Sequence, residues 1–147
     1  MTIARLIAGA TLLLAAAASL AQDFKTVGNA PVILYDLPSI KGAKLFVAPR
    51  GMPLEVLLTY GEWVKVRDVN GDQTWTQAKG LSNKRQVVVR MSGLKVRATP
   101  EEGASIGFIA EKGTFLEVIE AIASGWIKVQ LQDGQSGYLK STDIWGN

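Results

Sequence analysis

Acid/base chemistry on a glycosidic bond needs a pair of carboxyl groups, which makes Glu55 and Glu117 the first residues to weigh. They are counterparts in a repeated segment, Leu54-Glu55-Val56 and Leu116-Glu117-Val118. Copies of one position on two separate units are expected on a solvated strand face rather than across a shared cleft. Asp68, Asn70 and Asp72 mimic the opening of a calcium loop, but no Glu follows at the distance such a loop requires. The Asn70-Gly71 dipeptide within them is a strong hairpin signal, so a turn is expected there. The chain has no Cys and no His. Cys-His and Ser-His-Asp nucleophiles are therefore excluded, as are zinc sites built on those ligands and disulfide staples. No catalytic residue, metal or cofactor is expected, and a binding module is favoured over an enzyme.

The remaining candidates are aromatic. Trp63 and Trp126 open the corresponding runs Trp63-Val64-Lys65-Val66-Arg67 and Trp126-Ile127-Lys128-Val129-Gln130. Alternation puts each on the face opposite the Val and Ile side chains of its strand. Two readings stand: contact with a ligand, or cover over a barrel end or a domain interface, since Trp is usually largely buried. Trp75 and Tyr138 are also counterparts, each following a hairpin turn, with core or rim packing set against ligand contact.

Positioning these residues falls to short strands. Pro38 aligns with Pro100, Gly51 with Gly113 and Glu55 with Glu117 at an offset of 62; Trp63 with Trp126 and Trp75 with Tyr138 align at 63. One residue is inserted in the turn before the second Trp. The first copy reads as strands over 32–35, 44–47, 54–58, 63–67 and from Thr74, with Leu54, Val56 and Leu58 on one face. The second begins at Val87-Val88-Val89 and repeats them at 94–97, 106–110, 115–119, 126–131 and 137–139. No window has the spacing of an amphipathic helix. Five short strands per copy at this spacing predict an all-β chain of two small, strongly bent β-barrels. About 55 residues is marginal for an isolated domain, so the copies are expected to pack together or be short-tethered through residues 82–86. Gln22 to Ala30 reads as a polar lead-in.

Residues 1–21 are of another kind: Arg5 is the only charge, and Ser19-Leu20-Ala21 offers small residues for cleavage. A secretory signal peptide cut after Ala21 is expected, the alternative being a retained membrane anchor. Its removal leaves 15 of the 16 basic residues and all 13 acidic ones, net +2. No basic stripe interleaved with aromatics is present, so nucleic acid is not an expected partner. Without a lipobox Cys or a wall-sorting tail, the periplasm is the expected location, with secretion as the alternative, and no stable membrane insertion once the leader is cut.

Leu94-Lys95-Val96-Arg97 with Pro100, Lys112-Gly113-Thr114, Leu116-Glu117-Val118, Gly125-Trp126-Ile127-Lys128-Val129 and Asp133-Gly134-Gln135-Ser136-Gly137-Tyr138 resemble a bacterial SH3 domain. The first copy diverges: Tyr35 stands in the place of Arg97, and Thr74-Trp75 replaces Gly137-Tyr138. The resemblance implies SH3-like barrels, here expected over residues 30–83 and 87–146, and an envelope binding role. It makes Tyr35, Trp63, Trp75, Arg97, Trp126 and Tyr138 the candidate ligand contacts. Leu34-Tyr35-Asp36 is similar to part of the aromatic motif that grips proline-rich helices in eukaryotic SH3 domains. Residues 77–80 and 140–143 lack the Pro and Tyr that such a groove also needs, so PxxP recognition is not expected. The expected partners are a peptide, peptidoglycan-derived material or, alternatively, an envelope protein contacted by a structural adaptor.

Overall fold

The computed structural model describes residues 22–147, and the leader expected over residues 1–21 lies outside them. Among the described residues the first copy forms β1 (Asp23–Val27), β2 (Val32–Tyr35), β3 (Lys44–Ala48), β4 (Pro53–Tyr60), β5 (Trp63–Arg67), β6 (Gln73–Gln77) and β7 (Leu81–Ser82). The second forms β8 (Gln86–Val89), β9 (Leu94–Arg97), β10 (Ile106–Ala110), β11 (Phe115–Ala121), β12 (Trp126–Gln130), β13 (Ser136–Lys140) and β14 (Ile144–Trp145). The strand orders are β3-β2-β6-β5-β4-β1-β7 and β10-β9-β13-β12-β11-β8-β14, the same topology twice. The chain is thus all-β, with two small SH3-like units.

Each sheet has seven strands rather than the five expected. The two-residue strands β7 and β14 follow 3₁₀ turns and are too short to carry a pattern. The segment read as a polar lead-in supplies β1, which pairs with β4 and β7. Its charged residues tolerate the strand because Asp23 is exposed and Lys25 only half-buried, while Thr26 and Val27 face inward.

Alternation builds each core. Trp63–Arg67 and Trp126–Gln130 bury every second residue: Val64 and Val66 in one barrel, Ile127 and Val129 in the other. Leu54 and Leu116 are fully enclosed, each contributing about 1.5–3 kcal/mol through its apolar burial. The face predicted for Leu54, Val56 and Leu58 holds only in part, because Leu58 is exposed. The register shifts between Val56 and Leu58, so Leu58 pairs with outward-facing Lys65. A bulge of this kind inserts one residue and reverses the side-chain faces beyond it; β11 has its counterpart between Val118 and Glu120.

The inserted residue lies where the repeat alignment puts it. Tyr60 pairs directly with Trp63 around Gly61-Glu62, Gly61 having φ +58°. In the second barrel Ile122 N–H donates to the Trp126 carbonyl across three residues, with Ser124 at φ 68°. The Asp68–Asp72 segment is a turn as expected. Asp68 Oδ1 accepts from the backbone N–H groups of Asn70 at 2.9 Å and Asp72 at 3.0 Å.

The barrels pack on each other through corresponding faces. Phe24 meets Trp145 edge-on, ring centroids 5.1 Å apart, and Phe115 packs against the first barrel's core. Gly146, at φ +112°, lies so close to Pro53 that a Cβ there would come within 2.9 Å. In the second barrel Phe115, Val88 and Trp145 stand where the first has Pro53, Thr26 and Ser82.

Candidate functional site

The same cleft occurs on both barrels. In the first, about 580 Å³ is enclosed between the Gly28–Tyr35 segment and the end of β6 with its 3₁₀ turn, Ala78–Gly80. Asn29, Pro31, Val32, Ile33, Tyr35, Thr76, Gln77 and Gly80 line it. Their counterparts Met91, Gly93, Leu94, Lys95, Arg97, Leu139, Lys140 and Asp143 line a cleft of about 460 Å³ in the second. The 3₁₀ turn Ser141–Asp143 closes that one. Neither turn carries a Pro or a Tyr.

Tyr35 is buried (8% exposed) and lines the first cleft. Its ring stands edge-on to Trp63, with centroids 5.4 Å apart. Trp63 is half-buried behind it and does not line the cleft. Trp75 pairs across the sheet with both Tyr35 and Lys65, half-buried beside the cleft rather than in it. The aromatic residues therefore form one patch on the outer face of β2, β5 and β6, and Tyr35 is its contribution to the cleft.

The second barrel differs because Arg97 replaces Tyr35. Without a ring edge against it, Trp126 lines the cleft, with Lys140 Nζ 5.7 Å from its ring centroid. Lys140 is also paired with Glu102. That contact, first through the hydrogen bond and then through charge, holds the Glu102 carboxyl below the ordinary carboxylate range. Arg97 Nη1 donates to the Ala104 carbonyl at 2.8 Å, tying the loop after β9 to the cleft wall. Tyr138 pairs with Arg97 across the sheet and lies under Lys128, 5.9 Å from Nζ to ring centroid, outside the cleft lining.

Glu55 is not on a solvated face. It is buried, with Oε2 3.2 Å from Arg67 Nε, because β4 and β5 place Glu55 opposite Arg67. Glu117 is half-buried, 3.3 Å from Lys84. Each carboxylate has its own cation, an arrangement of structural ion pairs. Among the described residues no group of three or more His, Cys, Asp or Glu could hold a metal ion. No helix among them is long and apolar enough to cross a membrane.

Sequence reasoning picked out the aromatic counterparts but missed the walls formed by Pro31, Val32 and Ile33 and by Lys95, Lys140 and Asp143. It also missed Phe24 and Trp145, which join the barrels. The signal for Trp145 was available: it aligns with Ser82, and a large apolar residue present in one copy only marks a surface that the copies do not share.

Residues 28–83 match a family model described as a bacterial SH3 domain, and residues 92–144 match a second model of the same description. No curated protein matches the chain. Similar solved structures include NlpC2 and NlpC1 from Trichomonas vaginalis, at 11% and 12% identity with TM-scores of 0.39 and 0.40. They cover 86% and 95% of this chain, which covers 48% and 51% of theirs. An NlpC/P60 family protein from Bacillus cereus is similar at 16% identity and a TM-score of 0.39, with 84% of this chain and 56% of that one covered. The chain thus spans about half the length of these structures. With each barrel matched in turn, the chain belongs to the bacterial SH3 domain family, carrying two copies in tandem.

Proposed function

We propose that this protein is a non-catalytic, exported envelope-binding module whose two clefts bind peptides or peptidoglycan-derived material, with the periplasm as its place of work. The supporting observation is the recurrence of one cleft at one place on both barrels, with Tyr35 in the first and Trp126 in the second. None of the described residues that join the barrels (Phe24, Pro53, Phe115, Trp145, Gly146) lines either cleft, so both stay open while the barrels are packed. Two sites held in fixed relation add avidity when one polymer reaches both. Co-sedimentation of the protein with purified peptidoglycan, followed by Trp fluorescence, tests this reading. Trp126→Ala is expected to weaken binding without unfolding the protein, whereas absence of any co-sedimentation would refute wall binding.

A second reading, an adaptor that contacts another envelope protein, draws on the edge strand β3. There Leu45, Phe46 and Val47 are all exposed in succession, and apolar edge strands invite pairing with another chain. Cross-linking in the envelope followed by capture of a partner through β3, lost in Phe46→Lys, would favour it.

A further inference from the structure

We infer that the two clefts select different chemistry: the second takes a carboxylate-bearing peptide group, and the first takes an uncharged, apolar-faced segment. This rests on the proposal that the clefts are the binding sites, and it names what each would hold.

At four positions that line both clefts, a neutral residue of the first barrel is replaced by a charged one in the second: Ile33 by Lys95, Tyr35 by Arg97, Gln77 by Lys140 and Gly80 by Asp143. The core positions between them keep their class, Val32 with Leu94 and Leu34 with Val96, all apolar. Along β2 and β9 the change falls on Ile33/Lys95 and Tyr35/Arg97, the positions that alternate with the apolar ones.

The charges in the second cleft are not all compensated from within. Lys140 is paired with Glu102 and rests over Trp126, so that pair is close to neutral. Arg97 donates to the uncharged carbonyl of Ala104, which orients the guanidinium, and it shares with Lys140 the single carboxylate of Glu102. Lys95 is exposed on β9 and makes no ion pair among the described residues. Against these two cations stands the carboxylate of Asp143. Arg and Lys beside an apolar floor of Leu94 and Trp126 suit a carboxylate whose attached chain lies on the ring, because charge-assisted hydrogen bonds are the stronger kind. In the first cleft Lys79 is the only charged lining residue, and Pro31, Val32, Ile33 and Tyr35 offer apolar contact.

The test is calorimetric titration of the full chain with soluble peptidoglycan fragments whose peptide carboxylates are free, and with the same fragments amidated. Amidation is expected to weaken binding about tenfold, the scale of one charge-assisted hydrogen bond. Lys95→Gln should abolish that preference and Ile33→Gln should leave it intact; both positions are on the outer faces of their strands. Equal affinity for the two fragment forms overturns the assignment while leaving wall binding standing. A preference that survives Lys95→Gln but is lost in Ile33→Gln also overturns it, by moving the carboxylate to the first barrel. Failure of both forms to bind refutes this inference and the wall-binding reading together.

Discussion

Leu54 and Leu116 occupy the same place in the two barrels, both fully enclosed, and Val66 and Val129 repeat the match. A short distance away, at the cleft walls, Tyr35 and Arg97 also share a place and have nothing chemical in common. The first closes an edge-on contact with Trp63; the second leaves Trp126 to form part of the cleft. The difference teaches that one barrel geometry tolerates unrelated wall chemistry provided that the alternating apolar positions are kept. The faces that join the barrels make the same point. There Pro53 and Ser82 in one copy correspond to Phe115 and Trp145 in the other, and the second pair brings the large aromatic rings that pack across to the first barrel.

The comparison breaks most readily in the cores. Leu54→Ala and Leu116→Ala are each expected to cost about 2–5 kcal/mol, as fully buried leucines do, read by urea denaturation with Trp fluorescence. Both should shift one common transition, because Phe115 and Trp145 couple the barrels. Two well-separated transitions in the unaltered protein would show the coupling to be negligible. Trp145→Ala attacks that coupling directly. At roughly 2–3 kcal/mol for a half-buried aromatic, it should separate unfolding into two steps.

Exchanging counterparts sharpens the picture. Gly137 of β13 corresponds to Thr74 of β6, yet a Cβ at Gly137 would lie 2.7 Å from Val96 Cγ1 and 2.8 Å from the Arg97 carbonyl oxygen. Gly137→Thr is therefore expected to cost about 1–3 kcal/mol through overpacking, visible as a lower urea midpoint. An unchanged midpoint would mean that the two walls are more alike than their backbones indicate. The ion pairs rank below this. Glu55→Gln, at a buried carboxylate, should cost about 1 kcal/mol, and Glu117→Gln, facing exposed Lys84, less than about 0.5 kcal/mol.

The smallest effect concerns pH. The Glu102 carboxyl is held below its ordinary range by Lys140, so the pair's contribution is present above that range and fades as pH falls through the depressed value. Trp126 fluorescence should report Lys140's release from Glu102 at a pH lower than that at which an ordinary glutamate titrates. Lys140→Gln should abolish the step; its persistence in that variant would show that the Glu102–Lys140 pair is not its source.

The alternation of Trp63–Arg67 and Trp126–Gln130, the turn at Asn70-Gly71 and the tandem repeat with its one-residue insertion could all be read from sequence. The first two depend on residues close together in the chain, and the repeat shows in the order of residue types alone, without any contact between the copies. Local signals were also enough to exclude Cys- and His-based chemistry, and Leu94–Arg97 through Gly137-Tyr138 carried the family resemblance. What they could not supply was register. A one-residue bulge after Val56 turns Leu58 to solvent, and a pairing of β4 with β5 buries Glu55 against Arg67. The clefts likewise exist only once Gly28–Tyr35 meets the end of β6, and Met91–Arg97 the end of β13. The sequence by itself determined the barrels, because strand periodicity and turn conformation are local. The tertiary structure alone decided which counterparts line a cleft and which join the barrels, because those contacts form between segments some 40 residues or more apart, where long-range pairing sets the outcome.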